Sequence, residues 1–342
     1  MAAKPGSDLA GNELYDLIES YRTTVIIYVA ARLGIADILA HGAKGAGELA
    51  QATGAHESSL RRLMRGLIAI GICTQTADGR FELTPTGRPM AASADRSMKA
   101  WALFEGGMLY RGWEAMLDSI RAGKTAAELA GVDNYFELMA RNPEAVEVFN
   151  AAMLSLTNRI LPAVLEAFDF SGITRLMDVG GGYGQLLCAI LKQHQSLRGV
   201  VFDLPRCAEG AKKQIAEAGV GTRAEFSAGN FFESVPGGAD AIVMKSIIHD
   251  WNDERSIKIL RNCRQALPAR GKLLLVERLM PERLEANADH RAVVTGDLNM
   301  LRGPGGCERT ESEYRELLGK GGFRLTRVAE AGRVNVIESA PA

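Results

Sequence analysis

Cysteine is scarce in this chain, with 5 in 342 residues. Cys73, Cys188, Cys207, Cys263 and Cys307 are odd in number and form no C-x-x-C pair, so neither a disulfide framework nor a structural zinc site is indicated, and all five read as reduced thiols. Surplus charge is missing too. Forty basic residues face forty-one acidic ones, a net charge of −1, which excludes the basic footprint of a dedicated nucleic-acid binder. Long apolar runs are absent near the N-terminus, where Val25 to Ala31 falls far short of the ~20 residues a membrane helix needs. Residues Met1 to Ala10 are too polar for a signal peptide, so a cytoplasmic location without a membrane partner is expected. No His/Asp/Glu cluster stands at ligand spacing, and no metal is expected. There is no internal repeat or low-complexity tract. What remains is an ordinary globular composition, 47% hydrophobic and 24% charged, of a length that favours two domains.

The apolar pattern divides the chain at about residues 1–100, 101–168 and 169–342. Leu14, Leu17, Ile18 and Tyr21 recur at helical spacing, and from Val25 to Ala31 the pattern turns apolar nearly all round. A small domain has little core to wrap such a helix, which points to burial against a second copy of the chain. Helices at Gly47 to Thr53 and Ser58 to Ile70 follow, the second with Leu60, Leu63, Met64 and Leu67 as one stripe. Then Ile72 to Thr76 and Arg80 to Leu83 read as a hairpin turning at Gly79. Helix, turn, helix, hairpin is the order of a winged helix. Residues 101–168 form a connecting helical layer broken at Gly106-Gly107, Gly123 and Asn142-Pro143. Beyond Phe170 strands alternate with helices: Ile173 to Val179, Val200 to Asp203, Ala224 to Ser227, Ala241 to Lys245 and Leu273 to Glu277. That rhythm predicts a parallel α/β sheet wound on both faces.

Candidate chemistry falls at the ends of those strands. Asp178-Val179-Gly180-Gly181-Gly182-Tyr183-Gly184 follows the first strand and opens a helix at about Gln185. Glycines let the backbone lie against a ligand, and the helix start offers free N–H groups, although the G-x-G-x-G spacing is not the G-x-G-x-x-G of dinucleotide binders. A nucleotide-like cofactor site and a plain tight turn both fit. Asp203, 25 residues after Asp178, ends the second strand, where a carboxylate can accept both ribose hydroxyls or cap a helix ahead of Pro205. Together the two features point to an adenosine-containing cofactor. His249 and Trp251 stand just past the fourth strand, at the edge where such sheets bind ligands, though a His beside an Asp is also a common loop residue.

Residues 176–184, 201–205, 229–232, 244–254, 271–278 and 304–310 resemble the S-adenosylmethionine-dependent O-methyltransferases of the caffeate and hydroxyindole type. Bacterial members of that family act on carotenoids and aromatic polyketide-like metabolites. The resemblance implies a Rossmann-like class I methyltransferase sheet of seven strands, the last, near Arg333 to Ser339, antiparallel. It also implies an N-terminal winged-helix dimerisation domain, a homodimer, and no metal. By the same resemblance the cofactor residues are Asp178, Gly180, Gly182, Asp203, Leu204, Asn230, Phe231, Lys245 and Trp251. Gly180 and Gly182 lie by the methionine end, Asp203 at the ribose, Phe231 beside the adenine, and Trp251 beneath it. Asn230 stands where the family commonly has Asp at the adenine amino group; an amide oxygen still accepts that bond, so weaker binding is expected. Glu277 and Glu308, otherwise read as salt-bridge residues, become the two carboxylates flanking a catalytic His249, which at pH 7.5 is expected to be largely neutral. Asp250, Phe149, Met153 and Met300 are implied substrate contacts, although the apolar three also fit plain core. The stretch Arg302-Gly303-Pro304 is one residue shorter than in plant members, so a plant substrate is not assumed.

Two other readings compete. Arg61, Arg62 and Arg65 on the second helix of the winged motif would suit a DNA-binding regulator, but residues 1–100 hold 11 basic and 10 acidic side chains, too balanced for the phosphate contacts that dominate DNA affinity. A nicotinamide-dependent oxidoreductase shares the sheet and the ribose carboxylate but expects the other glycine spacing.

Overall fold

The computed structural model describes residues 9–342; the leader reading of Met1 to Ala10 falls mostly outside them. The chain forms two compact units, one of residues up to 111 with 147–155, the other of residues 112–146 and 156–342. Residues 101–168 are thus divided between the two.

In the first unit, helices Tyr21–Arg32, Ala46–Thr53 and Glu57–Ala69 pack around Leu49, Leu60, Met64 and Leu67. Strands β1 (Cys73–Gln75) and β2 (Phe81–Leu83) pair antiparallel beside them. The all-round apolar stretch from Val25 to Ala31 is covered only in part within this unit: Ala30 and Ala31 are buried, Val25 to Val29 half-buried. Ile26 and Ala30 join the Leu49 core, Ile27 and Ala31 pack with Met90 and Ala102, and the Tyr28 ring lies against Gly106 and Gly107. The Lys99–Phe104 helix folds back onto it and supplies part of that cover. The most exposed apolar side chains belong to the preceding helix, Leu9–Glu19, where Leu14 is 59% and Ile18 65% exposed.

The second unit is built on a seven-stranded sheet: β3 (Arg175–Val179), β4 (Arg198–Asp203), β5 (Ala224–Ala228), β6 (Ala241–Lys245), β7 (Lys272–Glu277), β8 (Phe323–Ala331) and β9 (Val334–Pro341). Their order is β5-β4-β3-β6-β7-β9-β8, with β9 antiparallel to both neighbours and the pairs among β3 to β7 parallel. The central strands read as continuous apolar runs because helices cover both faces. Alternate residues feed two cores: Leu176, Val201, Val243 and Leu274 one, Met177, Val200, Ile242 and Leu275 the other. Strand order reverses beside β3, so the C-terminal ends of β3, β4, β6 and β7 border one crevice, the place where open α/β sheets bind ligands. Among the described residues one helix, Pro143–Ala167, is long and apolar enough to cross a membrane; its Ala152 and Val164 lie in buried clusters.

Candidate active site

Four strand ends deliver the chemistry. After β3 the backbone takes positive φ at Gly180 (73°), Gly182 (57°) and Gly184 (79°), a conformation that costs a side-chain-bearing residue but not glycine. The helix Gln185–Gln193 starts from Gly184. Asp203, at the end of β4, ties this loop down. Its Oδ2 accepts the Gly182 N–H at 2.7 Å, and its Oδ1 accepts the Leu204 N–H at 2.6 Å.

Nothing stands within 4 Å of where a Gly182 Cβ would be, whereas a Cβ on Gly180 would strike Ile247 and reach Phe231. The loop is therefore a cradle with one open side and one walled by Ile247 and Phe231. Asp178 lies beneath it, buried, with Oδ2 lacking a protein partner. Burial raises its carboxyl to about 7 against the pull of Lys245. Lys245, at the end of β6, is itself held below its ordinary value by burial, opposed by Glu277 and Asp178. Ser246 beside it has φ 55°, a left-handed backbone uncommon for such a residue and most frequent at functional sites. The donor set, open cradle and orphaned carboxylate oxygen fit a nucleoside with a charged amino-acid end.

Trp251 is only 6% exposed. Phe232 meets it edge-on at 4.8 Å, Phe136 lies 5.9 Å and Phe231 6.2 Å away, and the Arg255 guanidinium lies over it at 5.5 Å. Its Nε1 lacks a partner. Asn230 spends its amide oxygen on its own loop, accepting the Phe232 N–H at 3.0 Å; one lone pair remains.

Past β6, a turn at Ile248–Asp250 brings His249 among carboxylates. Its Nδ1 lies 3.0 Å from Glu308 Oε1 and 3.8 Å from Glu277 Oε2, and its Nε2 lies 3.5 Å from Asp250 Oδ1. The imidazole is 15% exposed and both glutamates are buried. Burial alone would lower the His249 pKa, but Glu277, Glu308 and Asp250 override it and raise it to about 10. The sequence expectation of a largely neutral imidazole at pH 7.5 is corrected by this cage of three carboxylates. Asp250 is pushed up to about 7 by burial, opposed by His249 and reinforced by Glu277 and Glu308. Glu277 is raised mainly by burial, although its Oε1 accepts the Ile247 and Ile248 N–H groups at 3.0 and 2.9 Å.

The Glu308 loop is fixed by its neighbours. Asp297 accepts the Glu308 N–H at 2.8 Å, and Arg309 donates to the Trp251 and Ile248 carbonyls at 2.8 and 3.2 Å and to Asp253 at 2.9 Å. Sequence reading missed Gly306 as a site residue. Any Cβ there would lie 2.0 Å from the His249 carbonyl oxygen and 2.4 Å from backbone atoms of Asp250 and Trp251. Backbone cannot yield as a flexible side chain can, so only glycine lets the two loops touch. The signal was its place in Gly305-Gly306-Cys307-Glu308, but no pattern gave the partner.

Of the proposed substrate contacts, Met300 is buried on the helix Ala288–Arg302 and Asp250 faces the imidazole. Phe149 and Met153 belong to the first unit, where they pack with Phe104, Leu109 and Ala152. Among the described residues no group of three or more His, Cys, Asp or Glu side chains is arranged to hold a metal.

Comparison with known proteins identifies the family. Residues 113–324 match the family model of the O-methyltransferase domain, and residues 15–93 match that of the O-methyltransferase dimerisation domain, which disfavours a DNA-binding regulator. The phenazine O-methyltransferase PhzM of Lysobacter antibioticus is 41% identical over 329 residues, covering 96% of this chain and 95% of that protein. The crystal structure of LaPhzM superposes with a TM-score of 0.91 at 40% identity, over 97% of this chain and 99% of that one. The O-methyltransferase NcsB1 from neocarzinostatin biosynthesis, solved with S-adenosylmethionine and 2-hydroxy-5-methyl naphthoic acid, has a TM-score of 0.78 at 30% identity, covering 94% and 96%. The chain therefore belongs to the S-adenosylmethionine-dependent O-methyltransferases, with that family's dimerisation domain ahead of its transferase domain.

Proposed function

We propose that the chain methylates a hydroxyl of a small aromatic metabolite, with His249 as general base. The observation that carries this reading is the 3.0 Å contact of His249 Nδ1 with Glu308, which commits one ring nitrogen to a carboxylate and leaves Nε2 for an acceptor hydroxyl. S-adenosylmethionine, when bound, supplies a sulfonium methyl that leaves a neutral thioether behind. Gly180, Gly182 and Asp178 would hold its methionine end, Asp203 and Leu204 its ribose, and Asn230, Phe231 and Trp251 its adenine, with Lys245 alongside.

A phenol with pKa near about 10 is mostly protonated at neutral pH and is then a weak nucleophile. At neutral pH only the small neutral fraction of His249, whose pKa is raised to about 10, takes the proton; in that form its basicity matches a phenol's, and the fraction grows with pH. Glu277 and Glu308 stabilise the imidazolium, and Asp250, 3.5 Å from Nε2, orients the hydroxyl. Met300 offers apolar contact to the acceptor ring. Phenazine and naphthoic-acid relatives support a fused-ring acceptor. The test incubates the protein with methyl-labelled S-adenosylmethionine and phenolic, polyketide and hydroxy-carotenoid acceptors, read by mass spectrometry. A labelled methyl ether on a ring hydroxyl is expected; label found only on nitrogen or on carotenoids would overturn the reading.

The active form is a homodimer whose contact includes the Leu9–Glu19 helix, since Leu14, Leu17 and Ile18 are left exposed there. A winged-helix motif serves here for dimerisation, with balanced charge in place of a basic face. Light scattering at micromolar concentration should give twice the chain mass. Leu14→Glu with Ile18→Glu should shift it toward the monomer, and a monomeric parent would refute the dimer.

A further inference from the structure

One buried polar group behind the site has no part in this mechanism. Tyr314 is fully buried and its hydroxyl has no hydrogen-bond partner. Of the other buried oxygens in that condition, two belong to the carboxylates around His249, Glu277 Oε2 and Glu308 Oε2. Native interiors pair nearly all such atoms, so three orphans with complementary chemistry in one neighbourhood call for a common explanation. A phenol has a proton to donate; two carboxylate oxygens have only lone pairs.

The backbone brings the three together. Leu279, two residues past Glu277, pairs with Arg309, the residue after Glu308, and Met280 donates its N–H to the Arg309 carbonyl at 2.9 Å. Thr310 then caps the helix Glu311–Lys320 in a reciprocal pair with Glu313, and the Tyr314 N–H closes the first turn on the Thr310 carbonyl at 3.0 Å. Tyr314 therefore rises one turn beyond the Glu308 loop, into the buried cluster that holds Ile248, Trp251 and Leu275.

We infer that Tyr314 is a positioning residue for the site, its hydroxyl donating through one trapped water to the buried Glu277–Glu308 pair that holds His249. Burial, then Glu277 and Glu308, raise the Tyr314 pKa well above 10, so the proton stays on the phenol. The other groups facing the cluster are Asp250, Asp297, Lys245, Arg309 and Cys307, with Arg278 close to Glu308 beside Gly296. A donor to the carboxylate oxygens favours the deprotonated cluster. Removing it makes the His249–carboxylate group, which titrates as a unit, hold its proton to higher pH.

The role rests on His249 acting as the base, so the experiment reads the imidazole and the turnover separately. Tyr314→Phe keeps the ring and deletes the donor. In the intact protein labelled with ¹³C-histidine, and with His249→Gln to assign the resonance, the His249 titration should move up by about one pH unit in Tyr314→Phe. Turnover at neutral pH should fall roughly tenfold in step, with the acid limb displaced by the same amount. An unmoved His249 titration in a variant of parental melting temperature would overturn the inference and leave Tyr314 as core packing. A shifted titration with turnover insensitive to His249→Gln would sustain the coupling and sink the general-base reading instead.

Discussion

His249→Gln is expected to lower turnover by roughly 10²–10⁴-fold, the usual contribution of a positioned general base, while leaving S-adenosylmethionine affinity nearly unchanged. The pH profile makes the test sharper than the rate alone. His249 is raised to about 10 because Glu277, Glu308 and Asp250 outweigh burial. A base works in its deprotonated form, so turnover in the parent should climb with pH, close to tenfold per unit from pH 7 until it bends near the pKa of the cluster. Falling pH protonates the imidazole and removes activity; rising pH restores it. Gln cannot titrate, so in the variant that limb should disappear and leave only the dependence imposed by the acceptor's own ionisation. Glu308→Gln should move the limb to lower pH, since it removes the carboxylate closest to Nδ1, 3.0 Å away. It should also slow turnover at its plateau, because the imidazolium loses its main partner. Stopped assays from pH 6 to 10 with separate calorimetry of the cofactor decide the matter. Turnover of His249→Gln within threefold of the parent across that range would leave positioning as the whole source of catalysis.

The strand ends were legible in sequence because each parallel strand is a short apolar run that stops at a polar residue the crevice needs. Asp203, Lys245 and Glu277 each terminate such a run, and each closes its strand in the structure. The helix after the glycine loop starts at Gln185 as read, since Gly184 in the left-handed region both ends the loop and opens the helix. Strand β8 was not singled out. Phe323-Arg324-Leu325 alternates as a half-exposed strand does, and its charged positions hide it from a search for apolar runs. The cover of Val25 to Ala31 was legible only in part. Periodicity shows that a helix is apolar all round, but not whether the covering residues lie later in the same chain, and here Gly106, Met90 and Ala102 do. The carboxylate cage was legible only in part. Glu277 and Glu308 could be named, but the distances that set a pKa depend on loops 59 residues apart meeting at His249, where Gly306 against the His249 backbone makes the meeting possible. Asn230 is a comparable case: its residue type gave the acceptor, and the structure shows that the acceptor is half spent on Phe232.

Asp203→Ala is expected to weaken S-adenosylmethionine binding by about 1–3 kcal/mol, the cost of orphaning buried hydrogen-bonding groups, which is roughly a 5- to 150-fold rise in Kd. The carboxylate does two jobs at once. Within the protein it accepts the Gly182 and Leu204 N–H groups at 2.7 and 2.6 Å, which pins the glycine loop to the end of β4. A carboxylate has about four lone-pair sites; the weak Cys207 thiol donor, 3.6 Å from Oδ1, holds a third, so both ribose hydroxyls are accepted once that thiol yields its place. Alanine removes every acceptor, whereas Asp203→Asn keeps one oxygen for the loop, loses the charge, and should fall between the two. Calorimetry on the three proteins gives the ranking, but a loosened loop and a lost ribose contact would both weaken binding. A cofactor analogue lacking the ribose hydroxyls separates them, because the two changes form a double-mutant cycle. If Asp203 binds the ribose, the analogue binds the parent weakly and loses little further in Asp203→Ala. If the carboxylate only holds Gly182, both ligands lose the same factor and the energies add. Additive losses, or a Kd for Asp203→Ala equal to that of the parent, would show that the ribose is held elsewhere along the edge.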